Sequence, residues 1–225
     1  MTNSMTHTTR VWDLPTRVFH WALFALMLAM AATGLMGGNA MPWHFRCGYA
    51  VLSLLLFRLV WGVIGGRWSR FASFIYAPGT ILRYLRGQGR PEHSVGHNPL
   101  GAGSVFALLF FLGAQVGTGL FSDDDIAASG PLSKFVSNAL VSLLTGYHKN
   151  IGKYILLALV VLHIGAILFY QVKKKENLIG PMVHGDKSLV HQVENARDDA
   201  RSRALAAVVF VVCAGLVATL VKLAG

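Results

Sequence analysis

The sequence predicts an all-α integral membrane protein. Three observations predict it. Of the 225 residues 54% are apolar and 13% charged, five apolar runs each approach the ~20 residues needed to cross a hydrocarbon core, and the basic residues gather on one side of those runs. Long apolar runs outweigh the length of the chain, which alone would suit one or two soluble domains.

The chain opens on a polar stretch, Met1 to Thr9, expected to be disordered. Val11 to Thr16 leads into the first span, with Asp13 and Pro15 supplying helix-start chemistry and Trp12 and Trp21 suited to an interface. The first span is placed at about residues 18–36. It is too long for a signal-peptide core and carries a histidine, so it is expected to be retained. Gly37, Gly38 and Asn39 break this helix, and Pro42 opens the second span, at about 49–65 or beginning as early as Trp43. Gly66 to Pro99 connects to span three and contains a short amphipathic segment, Pro78 to Arg86, that would lie on an anionic lipid surface. Span three covers about 100–121. Leu132, Phe135, Val136, Ala139, Leu140, Leu143 and Leu144 then recur at helical spacing, predicting a surface helix that runs towards span four at about 151–170. A polar connector, Asp186 to Arg203, precedes span five at about 204–223. There is no internal sequence repeat. The organisation is one domain over 1–187 with four spans, followed over 188–225 by the connector and the fifth.

The net charge of +10 follows topology rather than nucleic acid. With the N-terminus inside, Arg10 and Arg17, the five arginines from Arg67 to Arg90, Lys173 to Lys175, and Lys187 to Arg203 share the cytoplasmic side. The other side holds only Arg46, Lys134, Lys149, Lys153 and Lys222. This asymmetry orients the chain N-in and C-out. Cys47 and Cys213 are far apart, and no disulfide is indicated.

Nine histidines are present, and four sit in or beside the spans, where an imidazole is costly and marks a functional site. Topology places His20 near the inner side, His44 and His148 at the outer side, and His163 about two-thirds of the way inward. The depth-matched pairs are therefore His20 with His163 and His44 with His148. His148 and His163 are fifteen residues apart, roughly 22 Å of rise and about 60° of rotation on a helix, so both can face one interior. Two bis-histidine haem b groups, one near each face, suit this arrangement. Filled axial positions leave such haems to move single electrons. Without a Cys-x-x-Cys-His run the haems would be non-covalent.

Arg58 is the other costly residue within a span. It either holds a haem propionate or snorkels to the inner headgroups, and Arg17, one turn before His20, has the same two readings. Gly34, Gly48 and Gly152 leave gaps near the candidate ligands through which a macrocycle can approach, or they serve close helix packing. Gly113, Gly117 and Gly119 fit packing better. His7, His93, His184 and His191 read as solvated. His97 is either a loop residue or a proton-exchange group. Asp123, Asp124 and Asp125 could steer a basic partner, hold a proton, or simply end a helix in a solvated loop.

The ordered set Arg17-Val-Phe-His20-Trp21, His44 with Gly48-Tyr49, Phe57-Arg58-Leu-Val-Trp61-Gly62, Gly96-His97-Asn98-Pro99-Leu100-Gly101, Thr118-Gly119-Leu120-Phe121 with Asp124-Asp125, and Glu176-Asn177-Leu178 resembles bacterial cytochrome b561. The resemblance covers roughly residues 10–187 and extends to the b-type cytochrome subunits of nickel–iron hydrogenases. It implies an antiparallel four-helix transmembrane bundle holding two haems on histidines of its first, second and fourth helices, which match His20, His44, His148 and His163. It also implies exchange of electrons with membrane quinone and a protein partner, or in some members with superoxide. The fifth span departs from a four-helix member.

The function expected is therefore one-electron transfer between the quinone pool and an external redox partner such as a c-type cytochrome. The alternatives are a haem-bearing membrane anchor of a hydrogenase or dehydrogenase complex, a superoxide:quinone oxidoreductase, and a metal or proton transporter. Transporters place carboxylates at mid-membrane depth. No Asp or Glu falls within any of the five runs, which weighs against that class.

Overall fold

The computed structural model describes residues 7–123 and 128–224. Asp124 and Asp125 of the acidic run lie outside the described residues, as do residues 1–6. Five helical stretches are long and apolar enough to cross a membrane: Leu14–Met36, Gly38–Ile64, Pro99–Gly119, Asn138–Lys174 and Ala200–Ala224.

The helices are α1 (Leu14–Met36), α2 (Met41–Ile64), α3 (Pro78–Leu85), α4 (Pro99–Gly119), α5 (Asn138–Gly146), α6 (Lys153–Phe169), α7 (Ile179–His184) and α8 (Ala200–Ala224). Gly37 and Gly38 take positive φ of 61° and 48°, a region that disfavours a Cβ, and this turns the chain between α1 and α2. α2 starts eight residues before the placement at Tyr49, because a short 3₁₀ turn, Gly38–Ala40, runs directly into it. His44 therefore sits in the first turn of a regular helix. The predicted surface helix and span four are one continuous helix. α5 passes through a π turn, Tyr147–Gly152, into α6, and a second π turn, Tyr170–Lys174, ends it.

The chain divides into two compact units: residues up to Phe19 with Arg58–Phe106 and Leu162–Ala207, and His20–Phe57 with Ala107–Val161 and the chain from Val208 on. In the first unit the N-terminal stretch, expected to be disordered, forms a strand. β1 (His7–Arg10) pairs antiparallel with β2 (Asp186–Leu189), with Arg10 opposite Asp186. Two four-residue strands are marginal alone, and charge holds this pair in place. Arg10 Nε is 2.6 Å from Asp186 and Nη1 is 2.9 Å from Asp198. Asp198 also accepts from the Leu14 N–H at 3.0 Å, capping α1 from a distant part of the chain. Val11, Trp12, Val95 and Leu189 form the apolar core beneath. Trp12 is buried there rather than standing at an interface.

Asp13 is the hub of this unit. It is fully buried and accepts from the N–H of Thr16 (2.8 Å), the Gly66 N–H (3.2 Å), the Trp61 indole (3.3 Å) and the Ser69 hydroxyl (2.7 Å). One carboxylate thus starts α1 and fastens it to the end of α2 and the turn beyond.

In the second unit Val51 and Leu55 of α2, Leu112 and Val116 of α4, and Leu156 of α6 form a core, with Met27 and Met30 of α1 packed against it. Lipid is as apolar as these side chains, so close packing and interhelical hydrogen bonds hold such a core more than expulsion from water does. α8 lies on α2: Phe210 meets Phe57 edge-on at 6.2 Å, and Val217 is buried.

Candidate functional site

Within the second unit the structure brings His44 and His148 together. Their ring centroids are 6.2 Å apart and their planes cross at 89°. Each ring is held by a main-chain carbonyl of the preceding long helix. His44 Nδ1 lies 3.1 Å from Met30 O of α1, and His148 Nδ1 lies 2.8 Å from Gln115 O of α4. A carbonyl can only accept, so both Nδ1 atoms carry the proton and both Nε2 atoms keep a lone pair. That tautomer is the one a metal-bound imidazole uses.

A glycine one turn beyond each carbonyl leaves room for the ring. A Cβ at Gly34 would stand 3.0 Å from His44 Cε1, and one at Gly119 would stand 2.8 Å from His148 Cε1. The same device, a carbonyl at one position and a glycine four later, serves both histidines. Gly119 was read as a packing residue, and the structure sets it against a candidate ligand. Gly48 faces the Met30 side chain at 3.7 Å, and Gly152 lies against Gln115 Oε1, so these two act on residues behind the rings. Gln115, absent from the sequence reading, also donates from Nε2 to His148 O at 3.0 Å. A lone amide side chain in an apolar span is the signal available.

His20 is half-buried in the second unit beside Trp21, edge-on at 5.2 Å. His163 is half-buried on α6 within the first unit. Arg58, also in the first unit, is 3% exposed, so it does not snorkel to solvent. Its guanidinium stacks over Phe71 at 4.5 Å, with Asp13 as electrostatic partner. Gly62 makes the stack possible, because a Cβ there would overlap the Phe71 ring. Arg17 donates to Val183 O at 2.5 Å and approaches Asp198 at 4.0 Å. Arg58 Nη1 and Arg17 Nε are buried donors with no acceptor among the described residues.

A cavity of about 370 Å³ opens in the first unit, lined among others by Trp68, Tyr76, Arg90, Glu92, His93 and His97. His93, expected to be solvated, is buried there. Its Nδ1 accepts the Arg90 N–H at 3.1 Å, and its ring meets Tyr76 and Tyr84 edge-on. His97 is packed between Trp12 and Phe74, at 4.7 and 4.5 Å. Burial pushes the Tyr76 phenol above its usual range. Tyr84 rises further, through burial and then the 2.8 Å hydrogen bond it shares with Tyr170. Among the described residues no cluster of three or more His, Cys, Asp or Glu could hold a bare metal ion.

A multi-pass helical membrane protein with facing imidazoles in its interior has the architecture of a b-type cytochrome. The sequence profile of prokaryotic cytochrome b561 matches residues 11–185, and the chain belongs to that family. It is 24% identical over 214 residues to the probable Ni/Fe-hydrogenase 1 B-type cytochrome subunit of Escherichia coli K12, covering 79% of this chain and 90% of that protein. The probable Ni/Fe-hydrogenase B-type cytochrome subunits of Rhizobium leguminosarum bv. viciae and Cupriavidus necator are each 24% identical, over 79% of this chain and 87% and 86% of theirs. No solved structure matches the chain.

Proposed function

We propose that this chain is a two-haem, one-electron carrier of the bacterial inner membrane, with His44 and His148 the axial ligands of one haem b and His20 and His163 those of the other. The His44–His148 geometry carries the reading. An imidazole–metal bond is about 2.0–2.1 Å. Adding the ~1.1 Å from nitrogen to ring centre, two imidazoles on opposite faces of one metal have centroids roughly 6.3 Å apart. The observed 6.2 Å fits that span, and the protonated Nδ1 atoms leave each Nε2 with a free lone pair. A haem held by these two histidines would supply one-electron chemistry rather than oxygen chemistry.

For the second haem the support is the depth match of His20 with His163, together with the two buried guanidinium donors. Arg58 Nη1 and Arg17 Nε each need an acceptor, and a propionate supplies one. Gly34 gives the His44 ring its space. Gly48 and Gly152 serve through Met30 and Gln115.

Electrons pass between quinone and an extrinsic redox protein. The cavity lined by Tyr76, His93 and His97 holds groups able to give and take protons, as quinone reduction requires, and supports this part of the reading. Basic residues orient the chain N-in and C-out. The names of the relatives support a hydrogenase-type partner, with the chain as its membrane anchor, over a soluble c-type cytochrome.

A dithionite-reduced minus oxidised spectrum with a pyridine haemochrome assay tests the reading. Two six-coordinate haems b per chain are expected, one lost in either H44A or H148A and the other in either H20A or H163A. A protein from haem-replete cells without haem, or H148A retaining both, would overturn it.

A further inference from the structure

Gln115 grips His148 at both ends. Its main-chain oxygen accepts from the ring at 2.8 Å, and its side-chain Nε2 donates to the His148 carbonyl at 3.0 Å. That carbonyl lies in the π turn Tyr147–Gly152, a local irregularity of the kind found at functional sites. Gly152, four residues on, is the wall against which the amide rests, since a Cβ there would overlap Gln115 Oε1. Oε1 is buried with no donor among the described residues, so the amide is held by its other contacts and by shape. His44 has no equivalent among the described residues. Its ring is held by Met30 O and approached by the Thr33 hydroxyl at 3.3 Å, with no side chain of another described helix on its carbonyl.

We propose that Gln115 is the positioning residue that fixes the His148 imidazole plane perpendicular to that of His44, and that this angle sets the electronic state of the haem between them. The proposal rests on the axial-ligand assignment above. Each imidazole donates π density into the iron orbital perpendicular to its own plane. Parallel rings both raise one of the two iron dπ orbitals and split the pair. Rings at 89° raise one orbital each and leave the pair nearly degenerate. A near-degenerate ferric ion shows a single large-g feature in electron paramagnetic resonance, and its ferric state is less stabilised, so its potential is higher. Hydrogen bonds to the ligating side chains and the orientation of those ligands are the levers by which a protein tunes such a centre.

The test is Gln115→Met, which keeps the length and the main-chain acceptor but removes the grip on the carbonyl. Gly152→Ala is the second variant and displaces the amide without deleting it. Haem content, resonance spectrum and potentiometric titration are read on each purified protein. Both variants should keep two haems. The large-g feature of the His44–His148 haem should give way to a rhombic low-spin signal, and its midpoint should fall while the other haem's stays. Two haems with unchanged spectrum and midpoints in either variant would overturn the proposal. Failure of the ligand assignment is distinguishable, because H148A would then retain both haems.

Discussion

Gly119→Ala is the sharpest perturbation of the His44–His148 pair. The added methyl would stand 2.8 Å from His148 Cε1. Carbon atoms pack best at 3.5–4.0 Å, so the ring must retreat by about 0.7 Å. It cannot do so freely, because Nδ1 is bonded to Gln115 O and the His148 carbonyl to Gln115 Nε2. A metal–ligand distance tolerates roughly ±0.2 Å, several times less than the displacement required. Stability should change little: overpacking costs ~1–3 kcal/mol, offset in part by about 1 kcal/mol of helix propensity gained on replacing glycine. The variant should therefore reach the membrane in normal yield with one haem instead of two. Gly117→Ala is the control, since nothing lies within 4 Å of a Cβ there. Gly34→Ala, at 3.0 Å from His44 Cε1, should fall between the two. Pyridine haemochrome stoichiometry reads all three, and G119A with both haems and unshifted bands would refute the reasoning.

The first unit makes two further predictions. Asp13→Ala strands the donors that converge on the buried carboxylate and leaves Arg58 without its counter-charge. A buried donor left without its acceptor costs about 1–3 kcal/mol, so the thermal unfolding midpoint of the purified protein should drop clearly, and an unchanged midpoint would sink the hub role. Burial alone would push the Asp198 carboxyl up, but the hydrogen bonds from Arg203 and the Leu14 N–H, with the charges of Arg203 and Arg10, hold it below the usual range. A depressed carboxylate contributes stability that is present above its unfolded value and lost as pH falls through its folded value. Midpoints measured from neutral into acid should decline in the native chain and decline less in D198N; parallel curves would mean that Asp198 is not the acid-sensitive tie.

Much of this arrangement could be read from residues alone, for a physical reason. Lipid enforces twenty-residue apolar helices, and charge orients them, so depth along a span is nearly a coordinate. That is how His44 and His148 could be paired before any contact was known. What depth does not encode is azimuth and local grip. Gln115 and Gly119 act through a main-chain carbonyl and a missing Cβ, and neither leaves a periodic trace. The joining of α5 to α6 was hidden because Tyr147 to Gly152 breaks the apolar run with His148, Lys149 and Asn150, while the π turn there keeps the helix continuous. The pairing of β1 with β2 was hidden for a different reason: four-residue strands have too few alternations to register, and ionic ties to Arg10 position them.

The two neighbouring histidines and the residues that hold their rings come from different segments here, and that division says what the third span is for. α2 supplies His44 and the π turn between α5 and α6 supplies His148, while α1 and α4 supply the carbonyls and the glycine gaps. α4 carries none of the four histidines, and on a ligand count it would be filler. Its Gln115 and Gly119 nevertheless define where His148 points, and its Leu112 and Val116 belong to the core that keeps α2 and α6 at a fixed spacing. A porphyrin needs two imidazoles at one separation, and a flexible bundle would meet that demand only by ordering itself around the cofactor. Rings already hydrogen-bonded at Nδ1 and set 6.2 Å apart lose little freedom on binding, and preorganisation of this kind is a source of affinity and of a defined potential. The span without a candidate ligand is thus as much a part of the proposed site as those that bear one.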